Sequence, residues 1–127
     1  PVLYPFGYGL SYSDFAYEKI ESVKQDKKNI RVTVSVKNTS GRDGEEVVQL
    51  YASYPDSKVE RPSKQLRAFK RIPIKAGESR EVTLTVPKEE LGYWNEEKQM
   101  FVVEPGTVKL LIGASSEDIR LEGKIRL

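Results

Sequence analysis

Strict alternation of apolar and polar side chains runs through Ile30-Arg31-Val32-Thr33-Val34-Ser35-Val36-Lys37. Because successive side chains of a β-strand point to opposite faces of the sheet, the β-branched Ile and Val residues share one face. The stretch therefore predicts a strand with one buried face and one solvated face, as is typical of antiparallel sheets. We expect further short antiparallel strands on either side of it.

The flanking sequence repeats this pattern between turn-forming residues. Asn, Asp and Gly residues in the cluster Asn38 to Gly44 tolerate positive φ, so the chain is expected to reverse there. Further strands are predicted at Phe15 to Val23, Glu46 to Tyr54, Leu66 to Ile74, Arg80 to Val86, Gln99 to Glu104, Thr107 to Ala114 and Ile119 to Leu127. Two of these, Gln99 to Glu104 and Thr107 to Ala114, are expected to pair as a hairpin joined at Pro105-Gly106.

Only one helical turn, at Lys88 to Leu91, is expected among these strands. Seven or eight short strands without a long helix predict an all-β fold, a two-sheet antiparallel β-sandwich of the immunoglobulin-like kind. The chain has 127 residues, which suits one domain.

The amino-acid composition argues against several classes of function. The net charge is +2, with 21 Lys and Arg spread among 19 Asp and Glu, so no continuous positive field is available for nucleic acid. No stretch is long and apolar enough to cross a bilayer, so no membrane partner is expected. Cysteine is absent, which excludes disulfides and thiolate metal sites but leaves the compartment open.

No catalytic residue is expected in this chain. Histidine is absent as well as cysteine, so the usual general base and the commonest nucleophile pairings are missing. Adjacent residues of a strand face opposite sides of a sheet, so neighbouring carboxylates are interpreted as solvated surface charge rather than as a glycosidase pair. These neighbours are Glu45-Glu46, Glu89-Glu90 and Glu96-Glu97.

Metal and cofactor sites are not expected either. A calcium loop needs several oxygen ligands at regular spacing, and only Asp43 and Asp118 with nearby Asn or Ser residues approach that pattern. The glycines of residues 6–10 follow no strand and precede no Lys-Ser or Lys-Thr, so they predict no nucleotide site. The triplet Asn38-Thr39-Ser40 fits the N-glycosylation pattern on an expected exposed loop, and a structural turn explains it equally well.

The aromatic residue Trp94, beside Tyr93, has two interpretations. Its ring could stack on the C–H face of a sugar, together with other tyrosines such as Tyr51 and Tyr54. A single Trp in a sandwich is more often an anchor in the core or between domains.

Large side chains also recur at every second position near the start of the chain, at Tyr4, Phe6, Tyr8, Leu10 and Tyr12. An extended ribbon would place them on one side, and the small residues between them would allow close approach of another backbone. We expect residues 1–12 to form an inter-domain strap whose large side chains dock on a neighbouring domain. Residues 13–127 are expected to form the sandwich.

Several short motifs occur in a fixed order along the chain. They include Tyr4 to Tyr12, Val34 to Gly41, Glu46 to Tyr51, Arg61 to Phe69, Ala76-Gly77-Glu78, Tyr93-Trp94-Asn95, Glu104-Pro105-Gly106 and Gly113 to Arg120. Each motif alone would be weak evidence, but together, in the same order and with the same spacing, they resemble the C-terminal fibronectin type III-like domain of family 3 glycoside hydrolases. The resemblance covers essentially the whole chain.

The resemblance implies a fibronectin type III-like sandwich without cofactor, attached to catalytic domains that hydrolyse terminal β-linked glucose or xylose with retention. The nucleophile and the acid/base of that family lie on upstream domains, so no catalytic residue is carried over to this chain. The resemblance also favours a periplasmic or secreted parent protein.

Three functions from different classes remain open. The first is a structural module that packs on the catalytic domains of the same polypeptide. The second is a carbohydrate-binding module that presents Trp94, and the third is a general adhesion or protein-interaction sandwich. A binding module should expose a planar row of aromatic rings, whereas a packing module should expose an apolar patch.

Overall fold

The computed structural model describes residues 14–127. Nine strands lie in that range: β1 Phe15–Gln25, β2 Asn29–Asn38, β3 Gly44–Ser53, β4 Gln65–Ile74, β5 Ser79–Pro87, β6 Tyr93–Asn95, β7 Met100–Val102, β8 Thr107–Ser115 and β9 Asp118–Arg126. A single 3₁₀ turn, Lys88–Leu91, follows β5, at the place where one helical turn is expected. None of the helical structure in the described range has the length and hydropathy that a membrane span needs.

Seven of the strands form two antiparallel sheets, β1-β2-β5 and β4-β3-β8-β9, and the short strands β6 and β7 form a separate hairpin. The order of strands and the antiparallel pairing are those of a fibronectin type III-like sandwich, so the predicted fold class is confirmed. The seven sandwich strands fit the expected number. The β6–β7 hairpin adds two strands at one end.

The core lies between the inner faces of the two sheets. On β2 the side chains of Ile30, Val32, Val34 and Val36 are fully buried, and the alternate residues face outward, as the alternation predicts. Branched side chains of β3, β5 and β8 meet them from both sheets, including Val48, Leu50, Val82, Leu84, Leu110 and Ile112. Burial of this apolar surface is the main stabilising contribution to the sandwich.

The expected hairpin between Gln99 to Glu104 and Thr107 to Ala114 is wrong. Met100–Val102 pairs with β6 instead, and β8 pairs with β3 and β9. At Gly106 the backbone exchanges hydrogen bonds with Leu127, and its φ of 138° suits glycine. Gly106 thus extends the pairing of β8 with β9, and the chain before it turns away from β8.

The end of β2 also differs from expectation, because Asn38 is the last residue of the strand and is buried rather than exposed on a loop. Its Nδ2 donates hydrogen bonds to the carbonyl oxygens of Arg42 and Ile74, both at 2.9 Å, and its Oδ1 accepts from the backbone and hydroxyl of Ser40. A glycan on Nδ2 would replace one of its two hydrogens and so remove at least one of the two hydrogen bonds that Nδ2 donates. The structural turn therefore accounts for the sequence triplet.

Candidate functional site

The acidic neighbours Glu45 and Glu46 have different environments. Glu45 is exposed, as expected of surface charge, whereas Glu46 is buried, so that part of the prediction is wrong. The hydroxyl of Tyr17 on β1 donates a hydrogen bond of 3.2 Å to Glu46 Oε2, and the Val47 backbone N–H donates one of 3.1 Å to Oε1. Glu46 faces the core because it is in phase with the inward residue Val48.

Burial raises the pKa of Glu46, and the two hydrogen bonds only partly oppose that effect. Burial also raises the pKa of Tyr17, and the neighbouring Glu46 carboxylate raises it further, so the phenol stays protonated as the donor. Arg120 on β9 lies over the Tyr17 ring at 5.1 Å and donates to the carbonyl oxygen of Phe15. These groups connect β1 of one sheet with β3 and β9 of the other, which is a structural arrangement.

The remaining carboxylate neighbours, Glu89-Glu90 and Glu96-Glu97, are exposed. The two calcium candidates already have protein partners. Asp43 Oδ1 accepts from the backbone N–H of Ala76, and Asp118 forms a two-pronged ion pair with Arg120. In residues 14–127 no group of three or more acidic side chains is placed to hold a metal ion.

Trp94 lies at the tip of the sandwich, on the β6–β7 hairpin. Its ring meets the ring of Phe101 edge to face, with centroids 5.3 Å apart and planes at 74°. Trp94 is 45% exposed and Phe101 64% exposed, and Met100 and Val103 beside them are also exposed. Crossed rings with aliphatic neighbours form an apolar knob, not a planar row of aromatic rings.

An open depression lies beside Trp94. Its lining consists of Val59, Glu60, Tyr93, Trp94, Asn95, Glu96 and Glu97. Polar oxygens next to one aromatic ring have the chemistry of a sugar subsite, but the depression contains one exposed indole only. The other ring in its lining, Tyr93, is partly covered by Arg61.

Arg61 fixes the hairpin to the loop between β3 and β4. Its guanidinium lies 3.9 Å from the centroid of the Tyr54 ring and 5.3 Å from that of Tyr93. Nη1 donates to the Leu91 carbonyl oxygen at 2.9 Å, and Nη2 donates to Glu104 Oε1 at 2.7 Å. The cation thus occupies a largely buried position between two aromatic rings and a carboxylate.

Glu104 follows β7 in the chain and also binds the loop between β3 and β4. It accepts hydrogen bonds from the Ser57 hydroxyl at 2.6 Å and from the Lys58 backbone N–H at 3.0 Å. Burial tends to raise the pKa of Glu104, but these two bonds and Arg61 together hold it below its usual value. The network gives the hairpin a defined position on the sandwich.

The strap residues Tyr4, Phe6, Tyr8, Leu10 and Tyr12 lie outside the described residues. The described chain begins at Asp14, whose carbonyl oxygen accepts the backbone N–H of Thr39 at 2.9 Å. The boundary between a strap and a domain near Ser13 stays a prediction.

Sequence reasoning missed two features that the structure brings out. One is the Arg61–Glu104 pair, because the two residues are 43 positions apart and nothing local connects them. The other is the exposure of Leu66 and Phe69 on β4, at 45% and 66%. Their spacing of three within a strand departs from the period of two and was the available signal of an irregular strand.

Comparison with known proteins assigns the sandwich to a family. Residues 46–116 match the family model described as "Fibronectin type III-like domain". The chain is 41% identical over 128 residues to thermostable beta-glucosidase B of Acetivibrio thermocellus. That alignment covers 98% of this chain and 17% of the relative. It is also 37% identical over 139 residues to probable beta-glucosidase D of Emericella nidulans, in an alignment that covers 94% of this chain and 17% of that relative.

Solved structures show the same relation. A beta-glucosidase from Kluyveromyces marxianus superposes with a TM-score of 0.90 at 37% identity, over 98% of this chain and 15% of that chain. The GH3 beta-glucosidase of Bifidobacterium adolescentis gives 0.90 at 37% identity, over 98% and 18%. The chain thus spans less than a fifth of the length of these relatives and corresponds to one small domain within them. From its fold and its sequence, this chain belongs to the fibronectin type III-like domain family.

Proposed function

We propose that this chain is a non-catalytic accessory domain of a family 3 glycoside hydrolase that removes terminal β-linked glucose or xylose. The observation that carries the proposal is the coverage: nearly all of this chain aligns with 17% of a beta-glucosidase. The domain packs on the catalytic domains of the same polypeptide and stabilises them. Packing on another domain is favoured because large apolar side chains of this folded domain, such as Phe69 and Phe101, lie outside its core and are exposed.

The strap extends this proposal to the start of the chain. Tyr4, Phe6, Tyr8, Leu10 and Tyr12 dock on the neighbouring domain, and the small residues between them allow close approach of a backbone on the opposite side of the strap. Their regular spacing supports this role, because it gathers five large groups on one side of an extended segment.

A carbohydrate-binding module is the second candidate. The depression beside Trp94, with Glu60 and Asn95, is the observation in its favour. One exposed indole offers little stacking area, so cello- and xylo-oligosaccharides are expected to bind no tighter than about millimolar, worth about 4 kcal/mol. Micromolar binding in calorimetry that Trp94→Ala abolishes would replace the packing function with this one.

The packing function is tested by two measurements. The purified chain should hydrolyse no aryl β-glucoside or β-xyloside, because its carboxylates have no catalytic arrangement. In the parent enzyme, deletion of residues 14–127 should shorten the half-life of thermal inactivation severalfold, because a stabilising contact is lost. Turnover that copurifies with the chain, or an unchanged half-life, would overturn the proposal.

A further inference from the structure

Strand β4 has an unusual distribution of side chains. Ala68 lies opposite Leu50 and faces the core, whereas Leu66 lies opposite Tyr51 and Phe69 opposite Gln49. The register shifts between Leu50 and Tyr51, so Arg67 is an extra residue in the strand. Because of this bulge, Leu66 and Phe69 both lie on the outer face of the four-stranded sheet although they are three residues apart.

Leu66 and Phe69 are both exposed, and Phe69, at 66%, is the most exposed large hydrophobic residue in the described range. They also line an open groove between the edges of β4 and β5, whose other side includes Thr83, Thr85, Pro87 and one acidic residue, Glu90. Within the described part of the chain, β4 pairs with β3 only, so its other edge lacks a strand. We call Leu66, Arg67, Phe69 and Lys70 the β4 surface.

The charges of the β4 surface are positive and lack acidic partners. Neither Arg67 nor Lys70 forms an ion pair in residues 14–127, and Arg67 Nη2 donates only to the neutral side chain of Gln65, at 2.7 Å. Arg67 Nε is buried with no hydrogen-bond partner. A partner surface that carries carboxylates would supply the counter-charges that Arg67 and Lys70 lack within the described residues.

The outer face of the other sheet provides a contrast. Thr33 and Thr83 share a hydrogen bond of 2.9 Å there, and Arg31 is paired with Asp26. Such polar groups with partners suit contact with water. In residues 14–127 the β4 surface therefore differs from that face, because Leu66 and Phe69 are exposed on the outside of their sheet and the cations Arg67 and Lys70, which have no ion-pair partner, line the groove at the edge of the strand.

We propose that the β4 surface is the docking site of the domain for the rest of the same polypeptide, through an apolar surface that carries carboxylates. This assignment rests on the proposed accessory function and specifies which face makes the contact. Leu66 and Phe69 supply the apolar contact, and Arg67 and Lys70 select acidic partners. A second copy of the chain is a poorer occupant, because a symmetric dimer would bring the same cations together.

The test uses the parent enzyme and the isolated 127-residue chain, each with Phe69→Asp, Arg67→Glu or the control Thr33→Asp, which lies on the outer face of the other sheet and away from the groove. In the isolated chain we expect all three variants to melt within a few degrees of wild type, because the sites are exposed or peripheral. In the parent, Phe69→Asp and Arg67→Glu should each shorten the half-life of thermal inactivation about tenfold, equivalent to about 1.4 kcal/mol. Thr33→Asp should leave it unchanged.

Other outcomes separate this assignment from the accessory function. If deletion of residues 14–127 shortens the half-life but Phe69→Asp and Arg67→Glu do not, the domain stabilises its parent through another face and the assignment is wrong. A loss caused by Phe101→Asp alone would place the contact on the β6–β7 hairpin and would also overturn it. Concentration-dependent dimers of the isolated chain that Phe69→Asp abolishes would make a second copy the occupant.

Discussion

Arg61 Nη2 and Glu104 Oε1 lie 2.7 Å apart, and the side chains are only 8% and 17% exposed. This ion pair joins the β3–β4 loop to the segment that follows the β6–β7 hairpin. Ser57 and Lys58 supply further donors to the same carboxylate, so its charge is stabilised by several directed hydrogen bonds. The pair therefore differs from the exposed ion pairs of this chain, such as that between Lys109 and Glu122 at 3.6 Å.

We expect Glu104→Gln to lower the free energy of unfolding by about 2 kcal/mol, the size typical of hydrogen bonds to a charged group. Glu122→Gln is the matched control and should change it by less than about 0.5 kcal/mol, because its pair is exposed. Urea unfolding of the two variants at neutral pH gives the comparison. Equal effects would show that burial adds nothing to the Arg61–Glu104 pair.

The same carboxylate predicts a pH dependence. The folded chain holds the pKa of Glu104 below its usual value of 4.5, so the unfolded chain binds more protons there. The stabilisation by Glu104 is complete above that value and is lost as the pH falls through the lowered pKa. The difference in stability between wild type and Glu104→Gln should therefore shrink below about pH 4.5. A difference that grows in acid would contradict this assignment.

Glu46 predicts the opposite dependence. Burial raises its pKa above 4.5, so the folded chain binds more protons, and stability declines as the pH rises from 4.5 through the raised pKa. We expect Glu46→Gln to remove this decline and to be at least as stable as wild type at pH 7. Tyr17→Phe should instead cost about 1–3 kcal/mol there, because it leaves the buried carboxylate without one donor. Thermal melts across pH measure both effects.

The phase of β2 is tested by a pair of adjacent substitutions. Val34 is fully buried, so Val34→Asp should place an unpaired carboxylate in the core, cost several kcal/mol and unfold a domain of ordinary stability. Thr33 faces outward, so Thr33→Asp should be mild. Circular dichroism melts of the two variants provide the readout. Similar melting temperatures would contradict the assigned faces.

The strap makes a prediction about domain boundaries. Deletion of residues 1–12 should barely change the melting temperature of the isolated chain, because the described core draws on residues from Phe15 onward. Replacement of Tyr4, Phe6, Tyr8, Leu10 and Tyr12 by Ser should destabilise the parent enzyme, which would lose their docking contacts. If the deletion unfolds the isolated chain, the segment is an integral strand and the boundary near Ser13 is wrong.

Local patterns predicted the strands well because burial of one face imposes a period of two. The four apolar residues of β2, from Ile30 to Val36, are fully buried in the phase that the sequence indicates. The same local patterns do not predict which strand pairs with which. Met100–Val102 pairs with Tyr93–Asn95 rather than with β8, and no local alternation distinguishes these two pairings.

Long-range contacts between side chains could not be predicted from the local alternation of apolar and polar residues either. The period of two places Glu46 in phase with the inward Val48, but no local pattern identifies its hydrogen-bond donor, the hydroxyl of Tyr17 on another strand. Phe69 faces outward because it is out of phase with the buried Ile72 and Ile74, whereas the exposure of Leu66 depends on the bulge at Arg67, which shifts the face of one end of β4 relative to the other. The sandwich therefore followed from periodicity, and the surface proposed to dock followed from register.

The docking of this domain on a larger enzyme through the β4 surface is tested most directly by hydroxyl-radical footprinting, which measures the solvent accessibility of side chains. The isolated chain and the intact parent enzyme would be oxidised under identical conditions, with Phe69 as the probe and Tyr17, which is buried in the domain itself, as the internal reference. The account predicts that oxidation of Phe69 falls severalfold in the parent while that of Tyr17 stays low in both. Equal oxidation of Phe69 in the isolated chain and in the parent would contradict it.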